Sequence, residues 1–284
     1  MYITMQQWAV ILVIILLGIL SAPTKLFPSH PISELKTIAE LRKKAEQGNA
    51  DGQYNLGLMY AVGKKVPRDY QKATNWFRKA AEQGHAHAQS NLGYMCLRGE
   101  GVTQDYQKAT MWFRKAAEQG NVHAQFNLGN MYRKGEGLSQ DSKKAFMWFR
   151  KAAEQGSIWG QYSLGRSYHI GEGVTQDFKE AAMWYKKAAE QGDSSAQNNL
   201  GVLYHTGEGV SRDFKEAIRW YKKAAEHGHC DAQNNLGVMY HIGEGVSQNY
   251  KEAAKWYKKA TKNGDEDSQR NLEMLCKESP LVCK

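Results

Sequence analysis

Residues 193–228 read DSSAQNNLGVLYHTGEGVSRDFKEAIRWYKKAAEHG, and variants of this stretch fill most of the chain without an insertion. Gly48, Gly84, Gly120, Gly156, Gly192, Gly228 and Gly264 are each 36 residues apart. The same spacing links Trp76, Trp112, Trp148, Trp184, Trp220 and Trp256, and again Leu56, Leu92, Leu128, Leu164, Leu200 and Leu236. A strict period of roughly 20–50 residues marks a solenoid, in which each unit contacts only its neighbours. Six units are predicted, at 49–84, 85–120, 121–156, 157–192, 193–228 and 229–264.

Each unit reads as two antiparallel helices. In 193–228 the first runs from about Ser195 to His205, with Ala196, Leu200, Leu203 and Tyr204 at helical spacing. Gly201 sits inside it at a cost of about 1 kcal/mol against alanine. It therefore needs a packing reason, which close approach of the partner helix would supply. Gly207 and Gly209 end that helix, where positive φ is wanted. Asp213 is placed to cap the second helix, and Glu216 three residues later would complete a capping box, as Glu180 would for Asp177. Lys72, Lys108 and Lys144 stand at that place in the first three units, which predicts half-built caps. The second helix should bury Ala217, Trp220, Tyr221 and Ala224 and stop at Gly228. The tryptophan column is the expected intercalating mass. Each indole would bury about 150–250 Å², and truncating one to alanine would cost about 3–5 kcal/mol.

Both ends of the array are expected to behave as caps. Residues 33–48 imitate a second helix with Glu40 in place of the Trp, and 265–277 imitate a first helix with Glu273 for Gly and Cys276 for Tyr. Residues 265–284 form the capping helix and tail, and 25–32 a linker.

The chain has 284 residues, 24% of them charged, and carries 27 Gly against 5 Pro. That composition excludes wholesale disorder. A net charge of +9 favours acidic partners without choosing among nucleic acid, anionic lipid and protein. Nothing is charged from Met1 to Thr24, and Trp8–Leu20 reads WAVILVIILLGIL. This run predicts either a cleaved signal peptide or a membrane anchor within 1–24; Ile3–Ala22 is long enough to span once. The chain is thus expected to be exported, whether periplasmic, secreted or tethered by a single pass.

The repeated pattern A-x-A-Q-x-N-L-G-x-M-Y-x-x-G-E-G-V-x-x-D-x-x-K-A-x-x-W-Y-x-K-A-A-E-Q-G resembles the Sel-one-like repeat (SLR) family, relatives of the tetratricopeptide (TPR) superfamily. The first unit departs from it, with Lys65 for the second loop glycine and an added Pro67. The resemblance implies an all-α, right-handed α-solenoid of antiparallel helix pairs with a concave groove. It also implies a non-enzymatic adaptor for protein or peptide partners, in a family whose bacterial members are often exported, some of them acting at the host–microbe boundary. Some relatives carry a helix-linking Cys pair in each repeat and are β-lactamase-like. This chain lacks those pairs, so a hydrolase is the alternative reading.

Aligned on the related TPR fold, groove-facing positions are 51, 54, 55, 58, 61 and 62, plus multiples of 36. The asparagine row Asn55, Asn91, Asn127, Asn199 and Asn235, with Ser163 in the fourth unit, would recognise a peptide backbone or else bond neighbouring helices. Around it stand Tyr54, Tyr94, Phe126, Trp159 and Tyr162, with Arg98, Arg133, Lys134, Arg166 and His169. Aromatic and Arg side chains dominate binding hot spots. The expected ligand therefore has acidic and apolar character and lies across the second to fourth units, unless the aromatics serve packing.

His169, His205 and His241 form a ladder, but equivalent atoms on stacked helix pairs lie about 16–20 Å apart. No common metal site is expected, nor any cofactor. The basic pairs such as Arg78-Lys79 and Arg114-Lys115 precede Glu82 and Glu118 at helical spacing, which reads as a solvated ion-paired face rather than a nucleic-acid surface. Cys276 and Cys283 are predicted to form a terminal disulfide if the chain is exported.

Overall fold

The computed structural model describes residues 38–64 and 66–282. The predicted signal or anchor at 1–24, the linker at 25–32, Lys65 and Cys283 lie outside the described residues. Among the described residues there are fourteen α-helices and no strand. The α1 helix is Ile38–Glu46. The first helices of the six repeats are α2 (Ala50–Val62), α4 (Ala86–Arg98), α6 (Val122–Lys134), α8 (Ile158–Ile170), α10 (Ser194–Thr206) and α12 (Cys230–Ile242). Their partners are α3 (Tyr70–Glu82), α5 (Tyr106–Glu118), α7 (Ser142–Glu154), α9 (Phe178–Glu190), α11 (Phe214–Glu226) and α13 (Tyr250–Lys262). Helix α14 (Glu266–Glu278) and a short 3₁₀ turn at Pro280–Val282 follow. The chain forms two compact units, up to Trp148 and from Phe149 onward. In each, helices pack on those before and after them in sequence, as in an all-α solenoid of helix-pair repeats.

The first helix begins one residue earlier than expected, at Ser194, because Asp193 caps it. The Ala196 N–H donates to Asp193 Oδ1 at 2.7 Å. Asn49, His85, Asn121, Ser157 and His229 cap the other first helices in the same way. The expected capping box at Asp213 closes only halfway. Asp213 Oδ1 accepts from the Lys215 and Glu216 N–H groups. Its own N–H, however, donates to Tyr204 O on the first helix, so Glu216 has nothing to reach back to. Glu216 holds Arg219 instead, at 3.1 Å. The same cross-bond joins Asp69 to Tyr60, Asp105 to Cys96 and Asp177 to Tyr168. The three lysines read as spoiling their caps do the opposite: Lys72, Lys108 and Lys144 reach Asp69, Asp105 and Asp141 at 3.0–3.1 Å. The backbone N–H bond at each cap, reinforced by the lysine, holds these three carboxyls below the usual aspartate range.

Gly201 has the predicted packing reason. A Cβ there would lie 2.7 Å from Cδ1 and Cε1 of Tyr221 on the partner helix. Gly207 ends the helix at φ +82°, as expected, but Gly209 serves another purpose. Its loop crosses the start of α9 in the preceding repeat, and any side chain would overlap the Phe178 carbonyl. The second loop glycine is therefore a contact between repeats.

The tryptophan column is not the deepest layer. The residue after each Trp is: Phe77, Phe113, Phe149, Tyr185, Tyr221 and Tyr257 are all fully buried. Trp184, Trp220 and Trp256 are buried, whereas Trp76, Trp112 and Trp148 are only half-buried. Helical geometry explains the order, because a step of 100° turns the next residue straight at the helix glycine of the first helix. The indole lies to one side, under a lysine. Lys79, Lys115, Lys187, Lys223 and Lys259 place Nζ 4.0–4.8 Å from the Trp ring centres. The basic pairs are thus only partly ion-paired. Arg150 closes on Glu154 at 2.8 Å, but Arg114 donates to the Tyr132 hydroxyl.

Candidate partner-binding surface

The fold presents one face of every first helix. Leu56, Leu92, Leu128, Leu164, Leu200 and Leu236 point inward and are buried, which turns positions 54, 55, 58 and 61 away from the leucine row, although Ala61, Ser90, Asn91, Ser163 and Asn198 at these positions are also buried. At position 58 the chain offers Leu58, Tyr94, Asn130, Arg166, Val202 and Val238, all half-exposed. Position 62 is more open, with Arg98, Lys134, Ile170, Thr206 and Ile242 exposed.

In the first compact unit, Tyr54 stacks on His85 with ring centres 4.6 Å apart, and its hydroxyl bonds Asn91. Burial pushes the Tyr54 hydroxyl far above its usual pKa. His85 uses both ring nitrogens. Nδ1 accepts the cap bond from the Ala88 N–H, and Nε2 faces Asp51 at 3.2 Å. His87 and His123 occupy the same register as Asp51 in the next two repeats. Burial holds all three imidazoles below their usual pKa. The hydroxyl of Tyr94 is buried without a partner, and Arg98 beside it is exposed. Phe126 is half-exposed. Arg133 donates to Asn130 Oδ1 at 3.0 Å, and Lys134 stands 3.5 Å from Glu136.

In the second unit Trp159 and Tyr162 are half-exposed, and the Tyr162 ring lies 5.9 Å from that of Tyr185. Arg166 is clasped by Glu172 at 2.7 Å. His169 meets the Tyr185 hydroxyl at 3.2 Å, with the edge-on ring of Phe178 beside it. Burial lowers its pKa, against the pull of Glu208. The other rungs of the histidine ladder bind acids of the following element: His205 faces Glu244 and His241 faces Glu278, both at 2.9 Å.

The asparagine row divides. Asn91 bonds Tyr54, Asn199 bonds Tyr185, and Asn235 donates to Asn198 Oδ1 at 3.2 Å, each across to another helix. Asn55 and Asn127 make no side-chain hydrogen bond among the described residues and are half-exposed. Sequence reasoning missed the acidic row. Glu136, Glu172 and Glu244, from the Gly-Glu-Gly loops, lean onto Lys134, Arg166 and His205. Lys134 and Arg166, two predicted cations, are therefore engaged by the chain's own carboxylates. The recurring Gly-Glu-Gly was the available signal, read only as a helix end. At the C-terminus Cys276 is disulfide-bonded while Cys96 and Cys230 are free thiols.

The Sel1 repeat family model matches six times, at 50–85, 86–121, 122–157, 160–193, 194–229 and 230–265. Among solved structures the chain is similar to c5321, a protective antigen present in uropathogenic Escherichia coli strains displaying an SLR fold. Identity is 41% over 85% of this chain, with a TM-score of 0.81. The chain spans only 52% of that antigen's length. It is also similar to a Sel1 repeat protein from Oxalobacter formigenes, at 39% identity over 84% of this chain and 68% of that one, with a TM-score of 0.72. No curated protein matches the chain. Proteins with these repeats generally act as protein-interaction scaffolds and are generally non-catalytic. With six matches covering most of its length, this chain belongs to the Sel1 repeat family.

Proposed function

We propose that the chain is an exported or membrane-tethered scaffold that binds a protein or peptide along the exposed face of its first helices. One observation carries this reading. Positions 58 and 62 change character from repeat to repeat, from Tyr94 to Arg166 to Val238, over a core that hardly changes at all. A surface that only had to stay soluble would not need half-exposed Tyr94 and Phe126 on first helices of the first unit, nor half-exposed Trp159 and Tyr162 on a first helix of the second. Acidic and apolar character in the ligand fits Arg98 beside Tyr94 and Arg133 near Phe126. Export rests on the apolar run at 8–20. The protective-antigen description of the E. coli relative supports a place accessible to a host.

The test is capture of partners from the native cell by the full chain and by an Arg98→Glu, Arg133→Glu variant. The captured partner should bind the variant at least about tenfold more weakly in titration, since a reversed charge repels an acidic ligand. Equal affinity would sink the reading.

A further inference from the structure

The second helices hold more than half of the chain's 38 Lys and Arg but fewer than a third of its 29 Asp and Glu. The imbalance peaks in α13, where Lys251, Lys255, Lys258, Lys259 and Lys262 are all exposed and Glu252 is the one carboxylate. Glu252 is spent on Lys255, at 3.1 Å, and the other four lysines make no ion pair among the described residues. The neighbouring α11 adds Lys215 and Lys222, both exposed. Trp256 of α13 packs into one core cluster with Tyr221 and Ala225 of α11, which sets the two helices side by side.

A second feature lies at the same end. The turn Pro280–Val282 packs against α13 through Val282, which joins Ala253, Ala254, Tyr257 and Leu275. The residue before it, Leu281, is 81% exposed. Cys276, a few residues upstream, is disulfide-bonded. An aliphatic side chain is thus held outward at this end of the chain, on a turn that packs against the side of α13 opposite its lysines.

We propose that the outer lysine face of α11 and α13 docks on an anionic phospholipid bilayer. Lysine is a strongly hydrated point charge suited to the diffuse field of anionic headgroups. Nucleic-acid surfaces favour arginine forks and stacking rings. Here the single guanidinium, Arg219, is held by Glu216, and the indoles of Trp220 and Trp256 are 5% exposed. The docking does not depend on whether residues 3–22 are retained.

The test uses the full chain with its apolar run interrupted by Val13→Asp and Leu16→Asp, so that the N-terminus cannot itself insert. Co-sedimentation compares phosphatidylcholine vesicles with vesicles containing about 30% phosphatidylglycerol. Binding should require the anionic lipid and fall steeply on raising NaCl to about 0.5 M. Lys255→Glu, Lys258→Glu and Lys262→Glu together should weaken it at least about tenfold. These residues are exposed, so an unchanged circular dichroism spectrum separates lost docking from lost fold. Equal binding to both vesicles, or undiminished binding by the triple variant, overturns the proposal. So does binding to polyglutamate or duplex DNA in place of the vesicles.

Discussion

The side-chain oxygen of Gln197 is buried without a partner because His227 stands where the other repeats carry an amide. In the first repeat, Gln83 Nε2 donates to Gln53 Oε1 at 2.7 Å while Gln53 Nε2 donates to Ala45 O, so one amide pair ties α3, α2 and α1 together. Gln119 with Gln89 and Gln191 with Gln161 repeat the clasp at 2.7 Å. His227 turns its Nδ1 to Lys223 O instead. A buried unpaired acceptor costs about 1–3 kcal/mol. His227→Gln should therefore stabilise the second unit by about 1 kcal/mol, seen as a higher urea midpoint. Gln83→His should lower the midpoint of the first unit. A His227→Gln midpoint at or below that of the parent would show that the orphaned oxygen costs nothing.

Gly201→Ala should destabilise despite alanine's helix preference. The gain in propensity is about 1 kcal/mol, but the new methyl meets the fixed ring of Tyr221, and overpacking costs about 1–3 kcal/mol. Tyr221→Leu in the same chain should recover part of the loss, giving a double-mutant coupling that simple additivity would not produce.

The two loop roles of glycine separate cleanly. Gly228→Ala meets open space and pays only for its φ of +86°, about 1–2 kcal/mol. Gly209→Ala must also push the Phe178 backbone away. Thermal melts should rank Gly209→Ala well below Gly228→Ala.

Phe113→Ala should cost about 3–5 kcal/mol, because the ring is fully buried. Trp112→Ala should cost less, since its larger ring is half-exposed. Chemical denaturation of the two variants decides the order.

Acid should weaken the first unit. His85, His87 and His123 have folded-state pKa values below the usual 6.5, so the unfolded chain binds protons first as pH falls. Their contribution is intact above about pH 6.5 and is lost as pH drops through the folded values. Protonating His85 at Nδ1 also removes the acceptor that caps α4. Replacing His87 and His123 by Gln should flatten the stability–pH curve in this window, and an unchanged slope would rule the pair out as its source.

Much of this protein could be read from spacing. The period of 36, two helices per unit and the Gly201 contact follow from residues recurring at fixed intervals, since a side chain's direction on a helix is set by local geometry. The inner leucines were legible for the same reason. The glutamines of the Ala-x-Ala-Gln and Glu-Gln-Gly segments were visible as conserved spacing within the chain, but their pairing was not. They lie 30 residues apart, and nothing local says that the two amides converge.

What needed three dimensions was each choice among several nearby partners. Asp213 gave its N–H to Tyr204 rather than to Glu216, because the loop brought a carbonyl closer than any side chain could come. The phenyl and phenol rings displaced the indoles from the deepest layer, because a 100° turn aims them at glycine. Glu172 neutralised Arg166 because the loop folds back along the helix it ends. Periodicity sets which way a side chain points; the packing of one hairpin on the next decides what it finds there.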